Sequence, residues 1–145
     1  MDKKVKASDY KCVECGKTPN NAFNKEVAGN HYRQYKIQPI ELIFAMGWNF
    51  AQGNIAKYVL RARYKNGRED IEKSIHYCEL AIAAGLPCDD DIYSPARPIL
   101  EFVEKNGLDK TFWVSFLHKI DERQYSELRN ILSDNQTVEK YFLKN

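Results

Sequence analysis

Apolar residues recur at helical spacing along most of the chain, and no stretch keeps the two-residue alternation that a half-buried strand needs. Pro39 stands where a helix begins, because its missing N–H is no loss in the first turn. Ile40, Ile43 and Phe44 continue that helix, and Gly47 is a natural stop. Trp48 to Gly53 reads as a short connection. A second helix is predicted from about Asn54 to Tyr64, with Asn54 as N-cap. Ile55, Val59 and Ala62 mark its apolar face, with Leu60 beside them. Lys65-Asn66-Gly67 is a turn. A third helix follows from about Arg68 to Ala84. Glu69 and Asp70 lie in its first turn, where the backbone dipole favours negative charge. Ile71, Ile75, Cys78 and Ile82 form its apolar stripe, and Gly85 and Pro87 end it. Connections this short make the helices antiparallel neighbours.

The flanks read differently. Residues 1–29 are predicted to be a flexible arm carrying a Cys-x-x-Cys knuckle, with Cys12 to Asn30 irregular. Residues 89–98, with two prolines and three consecutive aspartates, form a linker. Residues 99–145 are an acidic helical extension: Ile99, Leu100 and Val103, then Phe112, Trp113, Phe116 and Leu117, then Leu128, Ile131 and Leu132. Asp109 and Asp121 suit helix caps there. The expectation is an all-α fold: a compact antiparallel helical unit over residues 30–88, an irregular Cys-x-x-Cys leader and a C-terminal helical extension.

A chain of 145 residues suits one domain, or a small domain with an appendage. Nine tyrosines and seven phenylalanines are enough to build a core and still line a ligand site. The net charge of +2 does not argue for nucleic acid. Its distribution says more. Residues 31–88 carry eight Lys or Arg against five acids, and residues 89–145 carry eight against eleven. A basic middle with an acidic tail suits a small anion better than a long polyanion, so no long nucleic acid is expected. The charged N-terminus has no apolar run, and no segment has the length of a membrane span. The expected location is the cytoplasm, where cysteines are thiols or zinc ligands rather than disulfides.

The candidate chemistry lies in the middle. On a helix, Asn54, Lys57 and Arg61 share one face, and so do Asp70, Lys73 and Tyr77 on the next. Two antiparallel helices would pool these rows into a polar groove. Arg offers phosphate a planar fork and Lys a mobile charge. Gly53-Asn54 at a helix N-terminus would add free N–H groups, and Tyr58 and Tyr77 could stack on a base. The plainer alternative is two solvated faces with intrahelical ion pairs, and spacing alone favours it. His31 could meet phosphate or move a proton, and Glu41 with Asp70 could hold magnesium. Equally, His31 could be a hydrogen-bonding residue and Glu41 a helix-start acid.

Cys12 and Cys15, followed by Gly16, are candidate zinc ligands. A structural zinc needs four. Cys78 and Cys88 could complete the set, although Cys78 falls on an apolar stripe; His76, His118 or a second subunit are the alternatives. The chain has no G-x-x-x-x-G-K-[ST] loop, G-x-G-x-x-G turn, H-E-x-x-H helix or G-x-S-x-G elbow.

Taken in order, Asn30-His31-Tyr32, Pro39-Ile40-Glu41, Gly53-Asn54-Ile55-Ala56-Lys57-Tyr58 with Arg61, and Lys65 with Glu69-Asp70, Lys73 and Tyr77 resemble the SaV-like family of phage proteins. The resemblance spans about residues 30–83. Ile71 and Ile75-His76 depart from the family pattern, and the leader and tail have no counterpart in it. The family includes a podovirus kinase of deoxynucleoside monophosphates that lacks the usual phosphate loop. The resemblance therefore implies a phage origin and a nucleotide ligand, and favours the groove for Asn54, Lys57, Arg61, Asp70 and Lys73. Tyr32, Tyr58, Lys65 and Tyr77 join them as candidate ligand contacts. As a kinase, the chain would use His31, Glu41 and Asp70 with Mg2+. Two other roles fit: a sponge that sequesters a nucleotide immune signal of the bacterial host, and a host-protein-binding module. Helical units with one basic face often complete a site across a symmetric interface, so a homo-oligomer is expected.

Overall fold

The computed structural model describes residues 31–88 and 97–144. The knuckle cysteines Cys12 and Cys15, the rest of the leader and most of the 89–98 linker lie outside these residues. Among the described residues the fold is all-α, with no strand. A 3-10 turn, His31–Gln34, leads into α1 (Pro39–Met46), α2 (Phe50–Arg61) and, after a second 3-10 turn at Ala62–Tyr64, α3 (Arg68–Ala83). Then come α4 (Arg97–Lys105), α5 (Lys110–Asp121), α6 (Tyr125–Leu132) and a short α7 (Asn135–Thr137), which runs into a π-helical turn, Val138–Leu143. None of these helices is long and apolar enough to cross a membrane.

α1 starts and stops where its sequence dictates. Pro39 fills the first position, and Glu41 Oε2 accepts the Gln38 backbone N–H at 2.8 Å. Gly47 takes the left-handed conformation (φ +63°). The Trp48 N–H then reaches back to the Ile43 carbonyl and the Gly47 N–H to that of Phe44, both at 3.2 Å. The buried face of α1 differs from the expected one. It is Pro39, Glu41 and Leu42 that are buried, whereas Ile40 and Phe44 are 38% and 56% exposed.

α2 begins four residues before the expected Asn54. Asn49 is the N-cap, and its box with Gln52 is reciprocal: Gln52 N–H donates to Asn49 Oδ1 at 2.8 Å and Asn49 N–H to Gln52 Oε1 at 2.9 Å. The Gln52 amide also donates to the Ile120 carbonyl at 2.9 Å, tying the start of α2 to the end of α5. Asn54 is therefore inside the helix, where its amide donates to the Phe50 carbonyl at 2.8 Å.

α3 ends as expected on Gly85 (φ +69°), with the Leu86 N–H bonded to the Ala81 carbonyl at 3.0 Å. Its buried stripe is Ile71, Ser74, Cys78 and Ala81; Ile82 is exposed. Small side chains at these positions let α3 lie close to α2 and α6. Ser74 Oγ donates to the Ile55 carbonyl of α2 at 3.1 Å, so its burial leaves no hydroxyl unpaired.

The C-terminal helices close the same core. α4 and α5 pack on α1 and α2, and α6 on α3. Trp113, Phe116 and Phe142 are almost wholly buried and meet edge-to-face, with ring centres 5.0–5.7 Å apart. Burial of each stabilises the fold by about 1.5–3 kcal/mol. Polar ties cross between the halves. Asn106 Oδ1 accepts the Lys36 and Ile37 N–H groups at 2.7 and 3.2 Å, and its amide donates to the Ile37 carbonyl at 3.0 Å. Asp109 caps α5 as expected, accepting the Phe112 N–H at 2.9 Å. Asp121 is not a cap. It is buried at the end of α5, where it accepts the Trp48 indole N–H at 2.8 Å.

Candidate functional site

α2 and α3 run antiparallel, and the contacts Arg61–Asp70, Tyr58–Tyr77 and Ile55–Ser74 show the pairing. Their polar rows meet at Tyr58. Lys57 Nζ lies 4.4 Å from the centre of the Tyr58 ring, the Arg61 guanidinium carbon 4.8 Å and Lys73 Nζ 5.4 Å. A phenol face attracts each cation through its quadrupole. Tyr77 stacks beside Tyr58 (centres 6.1 Å, planes 19° apart), and Phe50 meets Tyr77 edge-on at 5.8 Å. The result is a cationic surface over an aromatic floor along the line where α2 meets α3, called the groove below; the spacing of Lys57, Arg61, Lys73, Tyr58 and Tyr77 brings these residues together.

The charges are partly matched. Arg61 grips the buried Asp70 with two bonds: Nε to Oδ2 and Nη2 to Oδ1, both 3.0 Å. Lys73 Nζ lies 3.3 Å from Glu69 and 3.9 Å from Asp70, so part of the groove is the intrahelical pairing that spacing alone favours. Lys57 has no carboxylate at ion-pair distance among the described residues. Three cations thus face two carboxylates. Burial by itself would weaken Arg61's hold on its proton; its hydrogen bonds and attraction to Asp70, with Tyr32, outweigh this and raise its pKa. Tyr32 is raised above the usual phenol range, because burial outweighs the opposing charge and hydrogen bond of Arg61. It stands at the groove as a neutral phenol.

Beside the groove is a cavity of about 150 Å³, lined by Tyr32, Gln38, Pro39, Ile40, Ile43 and Lys57. Lys57 therefore belongs to both features. Sequence reading places Ile40 and Ile43 on a helix face and assigns them no ligand; Phe50 is likewise missed, because it falls within the expected connection.

Other expectations fare differently. Gly53-Asn54 offers no free helix N-terminus: the Gly53 N–H is already bonded to the Asn49 carbonyl at 2.8 Å, and the Asn54 amide turns back on its own helix. Lys65 is exposed in the turn after α2. His31 has its backbone in the leading 3-10 turn, and its side chain lies outside the described set. Glu41 and Asp70 are each engaged by other groups of the chain. Both Asp70 oxygens are bonded to Arg61, and Glu41 binds its own helix's N-cap N–H. Among the described residues no group of three or more His, Cys, Asp or Glu side chains is arranged to hold a metal. Cys78 is fully buried, and burial pushes its thiol up to about 12, so it packs as a small apolar residue. Cys88 is exposed, with its Sγ accepting from the Gln124 amide at 2.8 Å.

Fold and site together define a helical protein with cations gathered around an aromatic ring where two helices meet. Residues 25–79, which take in α1, α2 and most of α3, match the model of a family described as a protein of unknown function (DUF3310). No curated protein and no solved structure matches the chain.

Proposed function

We propose that the chain is a phage-type nucleotide-handling protein that binds the phosphate of a nucleotide in the groove between α2 and α3. The observation that carries this reading is Lys57, a half-buried cation with no carboxylate partner among the described residues, set over the same ring as Arg61 and Lys73. An anion placed there would gain Lys57 outright and share the partly neutralised Arg61 and Lys73. Arg61 would arrive already oriented by Asp70, which lowers the ordering cost of binding.

Two fates of the bound nucleotide follow. As a nucleoside monophosphate kinase without a phosphate loop, the chain would work by positioning and by neutralising charge. As a sponge, it would hold a nucleotide signal and release it intact. The engagement of both Asp70 oxygens by Arg61 favours the sponge, because it ties up a carboxylate that a kinase would use. A homo-oligomer remains part of this reading, with Phe44 and Phe50, 56% and 76% exposed, as the apolar surface a second copy would cover.

Calorimetric titration of the full chain with deoxynucleoside monophosphates tests the binding, and Lys57→Ala should weaken it at least tenfold without lowering the melting temperature. Incubation with ATP, magnesium and each monophosphate, followed by heating and chromatography, separates the two fates. A phosphorylated product identifies a kinase, and intact ligand a sponge. If wild type and Lys57→Ala bind every nucleotide equally poorly, the groove is only a solvated surface.

A further inference from the structure

We propose that the cavity between the leading turn and α1 receives the base of the nucleotide, and that its size selects a single six-membered ring. The inference rests on the phosphate reading above and adds the class of ligand. The cavity measures about 150 Å³, a volume that holds one benzene-sized ring. Its walls are the Tyr32 ring, Pro39, Ile40 and Ile43, so a flat, weakly hydrated ring gains by entering.

What marks the occupant as a nucleotide is the placement of Lys57. It lines the cavity and also stands 4.4 Å from the Tyr58 ring, around which Arg61 and Lys73 gather. Tyr32 makes the same link from the other side, since it lines the cavity and lies within electrostatic reach of Arg61. An apolar slot edged by Lys57, which also faces the ring that Arg61 and Lys73 flank, suits a molecule with a flat ring at one end and an anion at the other. A pyrimidine nucleoside monophosphate has that form. A purine carries a second fused ring, which the slot excludes; it would stay in water or force the walls apart.

The test is calorimetric titration of the full chain with pyrophosphate, dTMP and dAMP, repeated on Ile43→Trp and Ile40→Trp. Both substitutions place an indole in the slot. Ile40 is 38% exposed, so the second variant keeps the test valid if the first does not fold. The expected result is that dTMP binds wild type at least tenfold more tightly than dAMP. In a folded slot-filled variant this preference is lost while pyrophosphate binding stays within twofold. Equal binding of dTMP and dAMP by wild type, with both weakened in Lys57→Ala, would overturn the base slot and leave the phosphate reading standing. So would a preference for dTMP that survives in a folded variant. Failure of all three probes to bind wild type removes the phosphate reading and the slot with it.

Discussion

Arg61 and Asp70 form a two-pronged ion pair across α2 and α3, with Asp70 wholly buried and the Arg61 side chain 12% exposed. Neither charge has enough water to stand alone. Asp70→Ala would strand the guanidinium and should destabilise the fold by about 3 kcal/mol, measured by urea denaturation. Asp70→Asn keeps an acceptor and should cost less. If Asp70→Ala loses less than about 1 kcal/mol, water has taken over the role of the carboxylate.

Gly53 sits inside α2, and a Cβ there would meet Ile43 Cγ2 at 3.4 Å, an ordinary contact. Gly53→Ala should therefore stabilise the chain by about 0.5–1 kcal/mol, because alanine has less backbone freedom to lose. Nucleotide affinity should hardly change. A large loss of affinity with unchanged stability would instead place the anion on the Gly53 backbone, as a helix starting at Asn54 would have it.

Cys78 should resist modification in the folded protein. With Cys12, Cys15 and Cys88 changed to serine, a thiol reagent at pH 8 should label nothing until denaturant is added, and then one site. The same thiol sets an alkaline limit. Its folded pKa is pushed up to about 12 by burial, from an ordinary value of 9.0. Its contribution is thus fully present below pH 9 and is lost as pH rises toward 12. Tyr35, buried against Leu60, is raised by the same cause and acts in the same direction. Urea stability should therefore be flat near neutrality and fall above about pH 9. Cys78→Ala should reduce that slope by about one proton.

The N-terminal helices should not hold their structure alone. Without α5 and α6, Trp48 loses Asp121, Gln52 loses the Ile120 carbonyl, and Cys78 loses its cover. A chain ending at residue 96 should lose cooperative thermal unfolding by circular dichroism. A sharp transition in that fragment would show that α1–α3 carry a sufficient core.

Much of this was readable in the sequence where the cause is local. Pro39 and Gly47 bound α1, and Gly85 ends α3, through backbone preferences that each residue carries with it. The cations of the groove follow from helical spacing once α2 and α3 are neighbours. The start of α2 is ambiguous in the sequence because Asn49 and Asn54 both suit an N-cap; only the reciprocal partner Gln52 separates them. Asp121 precedes a helix and so looks like a cap, but its acceptor role depends on Trp48, 73 residues away. Isoleucine spacing alone puts the stripe of α3 on Ile75 and Ile82, whereas close packing on α2 and α6 favours Ser74 and Ala81. The cavity under α1 has no periodic signature, because it depends on which side of α1 turns outward.

The Asn106 clamp has a consequence for how the protein is made. Lys36 and Ile37 are held by a side chain that the ribosome adds some seventy residues later. Until that asparagine has emerged, the segment leading into Pro39 lacks its anchor, and one wall of the cavity has no fixed position. The entry into α1 therefore takes its final place only once the loop after α4 has been made and folded back onto it.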